Sequence, residues 1–231
     1  MKLLIISAGS GIEQIRDKYG HATDWITNLI NIPNAQIDIS DIYKNDNFDH
    51  TYYDGWIITG SASSVVDNLE WMKLLKDKIV YAHKNFIPVL GICFGHQIIS
   101  SALGGKVIHN PKGWELGSYK LTLNENGLSN KIFKNIESDD YFYFSHEDIV
   151  SEIPGNATLL AENNMGIQSF SIDDRIYGVQ FHPEFNLKIM DQYVKIRYQN
   201  GIVSNYGPVI KSKSSYKIIS NFIEIIKGRM Q

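Results

Sequence analysis

With one cysteine among its 231 residues, the chain cannot close an internal disulfide, so its fold rests on packing and hydrogen bonds alone. It has no run of about 18 apolar residues to span a bilayer. The N-terminal stretch Leu3 to Ile6 is too short for the apolar region of a secretory signal, and a cytoplasmic protein is expected. Charge of one sign is lacking too. The 22 basic and 25 acidic residues leave a net charge of -3 and no basic face of the kind that binds nucleic acid or an anionic membrane, so neither partner is expected. The seven histidines show no metal-ligand spacing and have no companion cysteines. A P-loop and a dinucleotide fingerprint are absent, and Ala8-Gly9-Ser10-Gly11 reads as a plain loop, so no metal or other cofactor is expected. Repeats, low-complexity tracts and long linkers are missing as well. At 43% hydrophobic content, a single domain over residues 1–231 can bury its own core.

What is present is an alternation of short β-branched runs with helical patterns. Leu3 to Ile6, Gln36 to Ile39 and Gly55 to Thr59 read as strands, with a helical segment from Asp24 to Asn31. The segment Asn68 to Lys84 places Leu69, Met72, Leu75, Ile79 and Ala82 at helical spacing, and Ile87 to Ile92 reads as a fully buried parallel strand. This order predicts an α/β fold: a doubly wound, mostly parallel sheet flanked by helices, with active sites just beyond the carboxyl ends of its strands. From Lys106 to Val179 the pattern turns strand-rich, with strands predicted over Leu116–Leu123, Tyr141–Ser145, Thr158–Ala161, Gly166–Ile172 and Arg175–Phe181; these are expected to add antiparallel strands. Two helices, about Asn186 to Gln199 and about Ser215 to Lys227, close the chain and are expected to pack on the sheet.

Cys93 stands at the carboxyl end of the buried strand, inside Gly91-Ile92-Cys93-Phe94-Gly95-His96-Gln97. Small residues two before and two after it, at a strand-to-helix junction, form the nucleophile-elbow pattern, in which bulkier neighbours would collide with the packed strand and helix. A helix N-terminus also favours thiolate over thiol. The alternative is an inert core cysteine, and a base decides between the two. His182 ends the run Ile176 to Phe181 and is followed by Pro183-Glu184, so another strand end delivers a histidine and a carboxylate. Such a histidine can take the thiol proton and return it to a leaving amine while Glu184 orients it; spacing alone leaves open a surface histidine beside a solvated glutamate.

These motifs resemble those of the class I glutamine amidotransferases, most closely the stand-alone proteins similar to the amidotransferase domain of GMP synthase. Gly91 to Gln97 matches the Gly-x-Cys-x-Gly-x-Gln elbow, and His182-Pro183-Glu184 matches the His-Pro-Glu signature, 89 positions after the cysteine. The resemblance covers most of Leu3 to Glu184 and implies a flavodoxin-like fold and cysteine-dependent hydrolysis of glutamine, with the ammonia accepted by a separate synthase subunit. It implies that Cys93 is the nucleophile, His182 the general base and acid, and Glu184 the orienting carboxylate. By the same resemblance the N–H groups of Gly60 and Phe94 form the oxyanion hole, Gln97 contacts the glutamyl group, and the loop of Ser145, His146, Glu147 and Asp148 holds the glutamyl α-amino and α-carboxylate groups.

Thr59-Gly60-Ser61 departs from the Gly-Gly-Pro that many ammonia-delivering members carry, and together with Gly91 to Ile99 it also resembles γ-glutamyl peptidases that cleave glutathione-like conjugates. A γ-glutamyl peptide hydrolase is therefore the alternative enzyme, and a binding module that keeps the fold without chemistry is the second alternative. His109 to Glu115 resembles a loop of the stand-alone subgroup that borders the substrate entrance, and equally reads as an exposed turn with an anchoring tryptophan.

Overall fold

Leu3 and Ile5 point to one side of their strand and Leu4 and Ile6 to the other, and all four are buried, so this strand lies in a sheet covered on both faces. The computed structural model describes residues 1–230. Its first half runs β1 (Lys2–Ser7), α1 (Glu13–Tyr19), α2 (Ala22–Leu29), β2 (Gln36–Asp41), β3 (Gly55–Ile58), α3 (Glu70–Lys84), β4 (Val89–Ile92) and α4 (Phe94–Ala102). The middle comprises β5 (Lys106–His109), β6 (Glu115–Tyr119), β7 (Thr122–Leu123), α5 (Glu125–Ser129), β8 (Phe142–His146), β9 (Asp148–Glu152), β10 (Thr158–Asn163), β11 (Gly166–Ile172) and β12 (Ile176–Val179). Helices α6 (Leu187–Gln199) and α7 (Lys217–Arg229) follow.

The central sheet has the order β2-β1-β3-β4-β12, all parallel, and continues antiparallel through β11, β10 and β7. One face, carrying Leu3, Ile5, Ile57 and Leu90, packs on Ile26 of α2 and on Ile219, Phe222 and Ile223 of α7. The other, carrying Leu4, Ile6, Trp56 and Ile58, packs on Met72, Leu75 and Ile79 of α3 and on Ile98 and Ile99 of α4. The doubly wound α/β arrangement read from the sequence is thus observed. Helix α6 instead covers a separate antiparallel ribbon of β6 and β8, through Ile189, Met190 and Val194 against Leu116 and Tyr143.

Three further details depart from the sequence reading, besides α6 lying on the ribbon rather than on the sheet expected to carry it. Helix α1 has no counterpart there, because it buries only Ile15 and so carries no apolar stripe. The expected strand Leu116–Leu123 divides into β6, which pairs with β8, and β7, which pairs with β10. The antiparallel pair of β5 and β9 sits beside β11, and β5, with exposed ends, has too little alternation to stand out.

Asp140 fixes the approach to α7. Its carboxylate accepts hydrogen bonds from the N–H groups of Tyr141 and Lys213, both 2.7 Å, from the Ser214 N–H and hydroxyl at 2.6 and 2.7 Å, and from the Ser212 hydroxyl at 3.0 Å. Burial pushes its pKa up, but these donors outweigh burial and hold it below the ordinary carboxylate value. A depressed folded value means stability that is present above the unfolded pKa, near 4, and lost as pH falls through the folded value. Asp140→Asn is therefore expected to cost about 2 kcal/mol in urea unfolding at pH 7, and the deficit should shrink as the pH drops below about 4.

Candidate active site

Strand β4 ends at Ile92, and the next residue turns the chain into α4 with φ 52° and ψ −101° at Cys93. That backbone conformation is unfavourable for a side-chain-bearing residue, and here it lifts the thiol above the sheet. The flanking glycines are required by close approach: a Cβ at Gly91 would lie 2.3 Å from the Gly95 carbonyl oxygen, and one at Gly95 would lie 2.5 Å from the Ile58 carbonyl oxygen. Pairing of β12 with β4 brings the second motif alongside, with the Cys93 N–H donating to the Val179 carbonyl at 2.8 Å.

Three residues beyond Val179, the His182 N–H donates to the Tyr143 carbonyl at 2.8 Å, which ties this strand end to the β6–β8 ribbon. The His182 ring stacks on Phe185, with centroids 4.0 Å apart at 14°. Its Nδ1 lies 2.7 Å from Glu184 Oε1, so Nδ1–H donates to the carboxylate and Nε2 is left to exchange a proton with the thiol. Both side chains are almost fully buried. Burial by itself pushes the imidazole pKa down, but the Glu184 carboxylate, through its charge and hydrogen bond, and the nearby Cys93 sulfur reverse this and raise it to about 10. Gly60 lies between the two groups: a Cβ there would meet His182 Cε1 at 3.0 Å and Cys93 Cβ at 3.6 Å. Phe94 is the first residue of α4, so its N–H has no carbonyl one turn back to bond. Gly60 and Phe94, both expected to form the oxyanion hole, thus stand next to Cys93, Gly60 in space and Phe94 in the chain.

Gln97 is buried, and its amide nitrogen donates inward to the Asp148 carbonyl at 2.8 Å and to Gln180 Oε1 at 3.1 Å. Ser145 faces the cleft, where its hydroxyl accepts from Arg197 Nε at 2.9 Å. Glu147 is exposed at the rim. The His146 ring is fully engaged, with Nδ1 3.0 Å from the Asp148 carbonyl and Nε2 2.9 Å from Glu115 Oε2. With both nitrogens engaged, this histidine anchors the loop.

Glu115, buried, also accepts from Asn163 at 2.6 Å and from Gln168 at 3.0 Å. Removing it strands His146 and two amides, so Glu115→Ala is expected to cost about 3–5 kcal/mol by denaturant unfolding. Asp148 ties three loops together, accepting from the Ser64 hydroxyl and pairing with His109 Nδ1 at 2.5 Å.

Sequence reasoning does not single out Glu115, Asp148 or Arg197 as individual site residues. For Arg197 a signal exists: it follows Met190 and Val194 at helical spacing, a cation on the apolar stripe of α6. Glu115 and Asp148 fall within segments that the resemblance marks, but nothing in the sequence shows their pairings, because the partners lie far away in the chain. His96, beside the elbow, is buried against Phe170 at 4.9 Å and serves in packing.

Among the described residues, no cluster of side chains suited to a metal ion occurs and no helix is long and apolar enough to cross a membrane. The family profile for glutamine amidotransferase class I matches residues 14–197. Gamma-glutamyl peptidase 4 of Arabidopsis thaliana is 32% identical over 185 residues, which cover 74% of this chain and 74% of the peptidase. A subunit of the glutamine-hydrolysing GMP synthase of Methanococcus vannielii is 43% identical over 100 residues, 42% of this chain and 51% of that polypeptide. A glutamine amidotransferase from Thermotoga maritima superposes with a TM-score of 0.72, covering 100% of this chain and 97% of that one; at 20% identity this likeness concerns the fold alone. By profile, relatives and fold, the chain belongs to the class I glutamine amidotransferase family.

Proposed function

We propose that this protein hydrolyses γ-glutamyl amides through a γ-glutamyl thioester on Cys93, with glutamine as substrate and glutamate and ammonia as products. The observation that carries the reading is the His182 imidazole, held by Glu184 at 2.7 Å and placed with Cys93 against Gly60 at neighbouring strand ends. The Cys93 thiolate attacks the γ-carbonyl carbon, and the oxygen takes up negative charge facing the Gly60 and Phe94 N–H groups. As the carbon–nitrogen bond breaks, the His182 imidazolium gives its Nε2 proton to the departing nitrogen. The neutral imidazole then takes a proton from water, which attacks the thioester and releases glutamate. Gln97 and the Ser145 to Glu147 loop hold the glutamyl group. This reading takes residues 1–231 as one domain. In keeping with the name of the Methanococcus vannielii relative, the ammonia passes to a separate synthase polypeptide.

A second reading, cleavage of γ-glutamyl peptides, is favoured by Gly60-Ser61 and by the cleft itself. Beyond Cys93 the cleft continues between Gly9, Ile12, His21 and Tyr193, room for a leaving group larger than ammonia. His21 Nε2–H donates to the Gly9 carbonyl at 2.8 Å and holds that wall in place. Comparing kcat/KM for glutamine and γ-glutamyl dipeptides, with Cys93→Ala as blank, decides between the readings. Ammonia release from glutamine at the higher kcat/KM supports the first. Turnover of neither by the wild-type protein rejects both.

A further inference from the structure

Arg197 projects from the last turn of α6 into the cleft and borders both of its lobes, the one at Gln97 and Glu147 and the one at Gly9 and Tyr193. Its guanidinium stacks over Trp114, with the central carbon 4.3 Å from the ring centroid, and lies 5.8 Å from Tyr193. Nε donates to the Ser145 hydroxyl at 2.9 Å. Among the described residues no carboxylate comes within ion-pair distance of it. Burial pushes its pKa down, opposed through space by Tyr193, the Cys93 sulfur and Glu147. A half-buried guanidinium with no carboxylate paired to it is costly, and this one is fixed by Trp114 and Ser145 with its two terminal amino groups uncommitted. That fork matches the two oxygens of a carboxylate.

We propose that Arg197 is the carboxylate-binding residue of the cleft, its two amino groups pairing with a free carboxylate of the γ-glutamyl substrate. The assignment rests on the γ-glutamyl reading above and extends it, since neither motif of the elbow and strand end includes this residue. The pair with Trp114 and Ser145 aims the fork, so Trp114 is a positioning residue, and the carboxylate supplies the charge that the fold withholds. Two carboxylates can meet this requirement: the α-carboxylate of the glutamyl unit, or one carried by the leaving group of a γ-glutamyl amino acid.

The test is calorimetric binding to Cys93→Ala, which cannot turn over, with and without Arg197→Gln. Three ligands are compared: glutamine with one carboxylate, γ-glutamylglycine with a second on the leaving side, and 4-aminobutanamide with none. Arg197→Gln is expected to weaken γ-glutamylglycine about 30- to 100-fold and 4-aminobutanamide less than about threefold. If glutamine weakens equally, the glutamyl carboxylate is the partner; if glutamine is spared, it is the leaving group's. Arg197→Lys, which keeps the charge but loses the fork, should fall between, and it also covers the case in which Arg197→Gln lowers the melting temperature too far to use. Equal weakening of all three ligands, or of none, overturns the proposal. Failure of glutamine and γ-glutamylglycine to bind Cys93→Ala at all would instead remove the γ-glutamyl reading, and this assignment with it.

Discussion

Cys93→Ala is expected to lower kcat/KM for γ-glutamyl amide hydrolysis by at least about 10,000-fold, roughly 5.5 kcal/mol of transition-state stabilisation, while the protein stays folded. The loss is large because no second thiol exists in the chain and the Gly60 and Phe94 N–H groups have no oxyanion to receive unless the sulfur attacks. The elbow adds a consequence for stability. At φ 52° and ψ −101° a side chain is strained and glycine is not. Cys93→Gly should therefore be as inactive as Cys93→Ala yet more stable than it, by about 1–2 kcal/mol in denaturant unfolding. Equal stabilities would mean that the turn carries no strain.

The second large effect concerns His182 and Glu184. His182→Ala is expected to reduce kcat about 1,000- to 100,000-fold, because the thiol loses its proton acceptor and the leaving nitrogen loses its proton donor. Glu184→Gln keeps the shape but removes the carboxylate opposite Nδ1, and about 100- to 10,000-fold is expected. The pH profile separates this from a packing effect. The imidazolium is present below its pKa and lost above it, and that pKa is raised to about 10 in the folded protein. The alkaline limb of kcat/KM should accordingly lie well above the ordinary histidine range near 6.5. Without the Glu184 carboxylate, burial is opposed only by the sulfur, so the limb should move toward neutral pH in Glu184→Gln. A limb that does not move would show that Glu184 does not act on the imidazole charge.

The parts of this protein that could be read from its sequence are those whose chemistry is local. Buried runs such as Leu3 to Ile6 and Ile87 to Ile92 announce parallel strands because both faces must be apolar. The glycines around Cys93 announce the elbow because the helix packs so closely on Ile58 that no Cβ fits. His182 and Glu184 lie two residues apart, so their pairing is visible as a motif. The remainder depends on chain segments meeting from afar. Nothing around Glu115 indicates that it receives His146, Asn163 and Gln168, and nothing around Asp148 indicates Ser64 and His109. Whether Leu116 to Leu123 is one strand or two depends on β8 and β10 competing for it from opposite sides. Arg197 is concealed in a different way: the periodicity that marks Met190 and Val194 as core marks its position too, and only its charge signals that the face opens into a cleft there.

The central claim, that Cys93 is the nucleophile toward a γ-glutamyl carbonyl, is tested most directly by incubating the protein with an electrophilic glutamine analogue and measuring its intact mass and the modified peptide. One adduct is expected, on Cys93, formed more slowly when glutamine is present and far more slowly in His182→Ala. Unmodified, folded protein, or an adduct on any other residue, would contradict it.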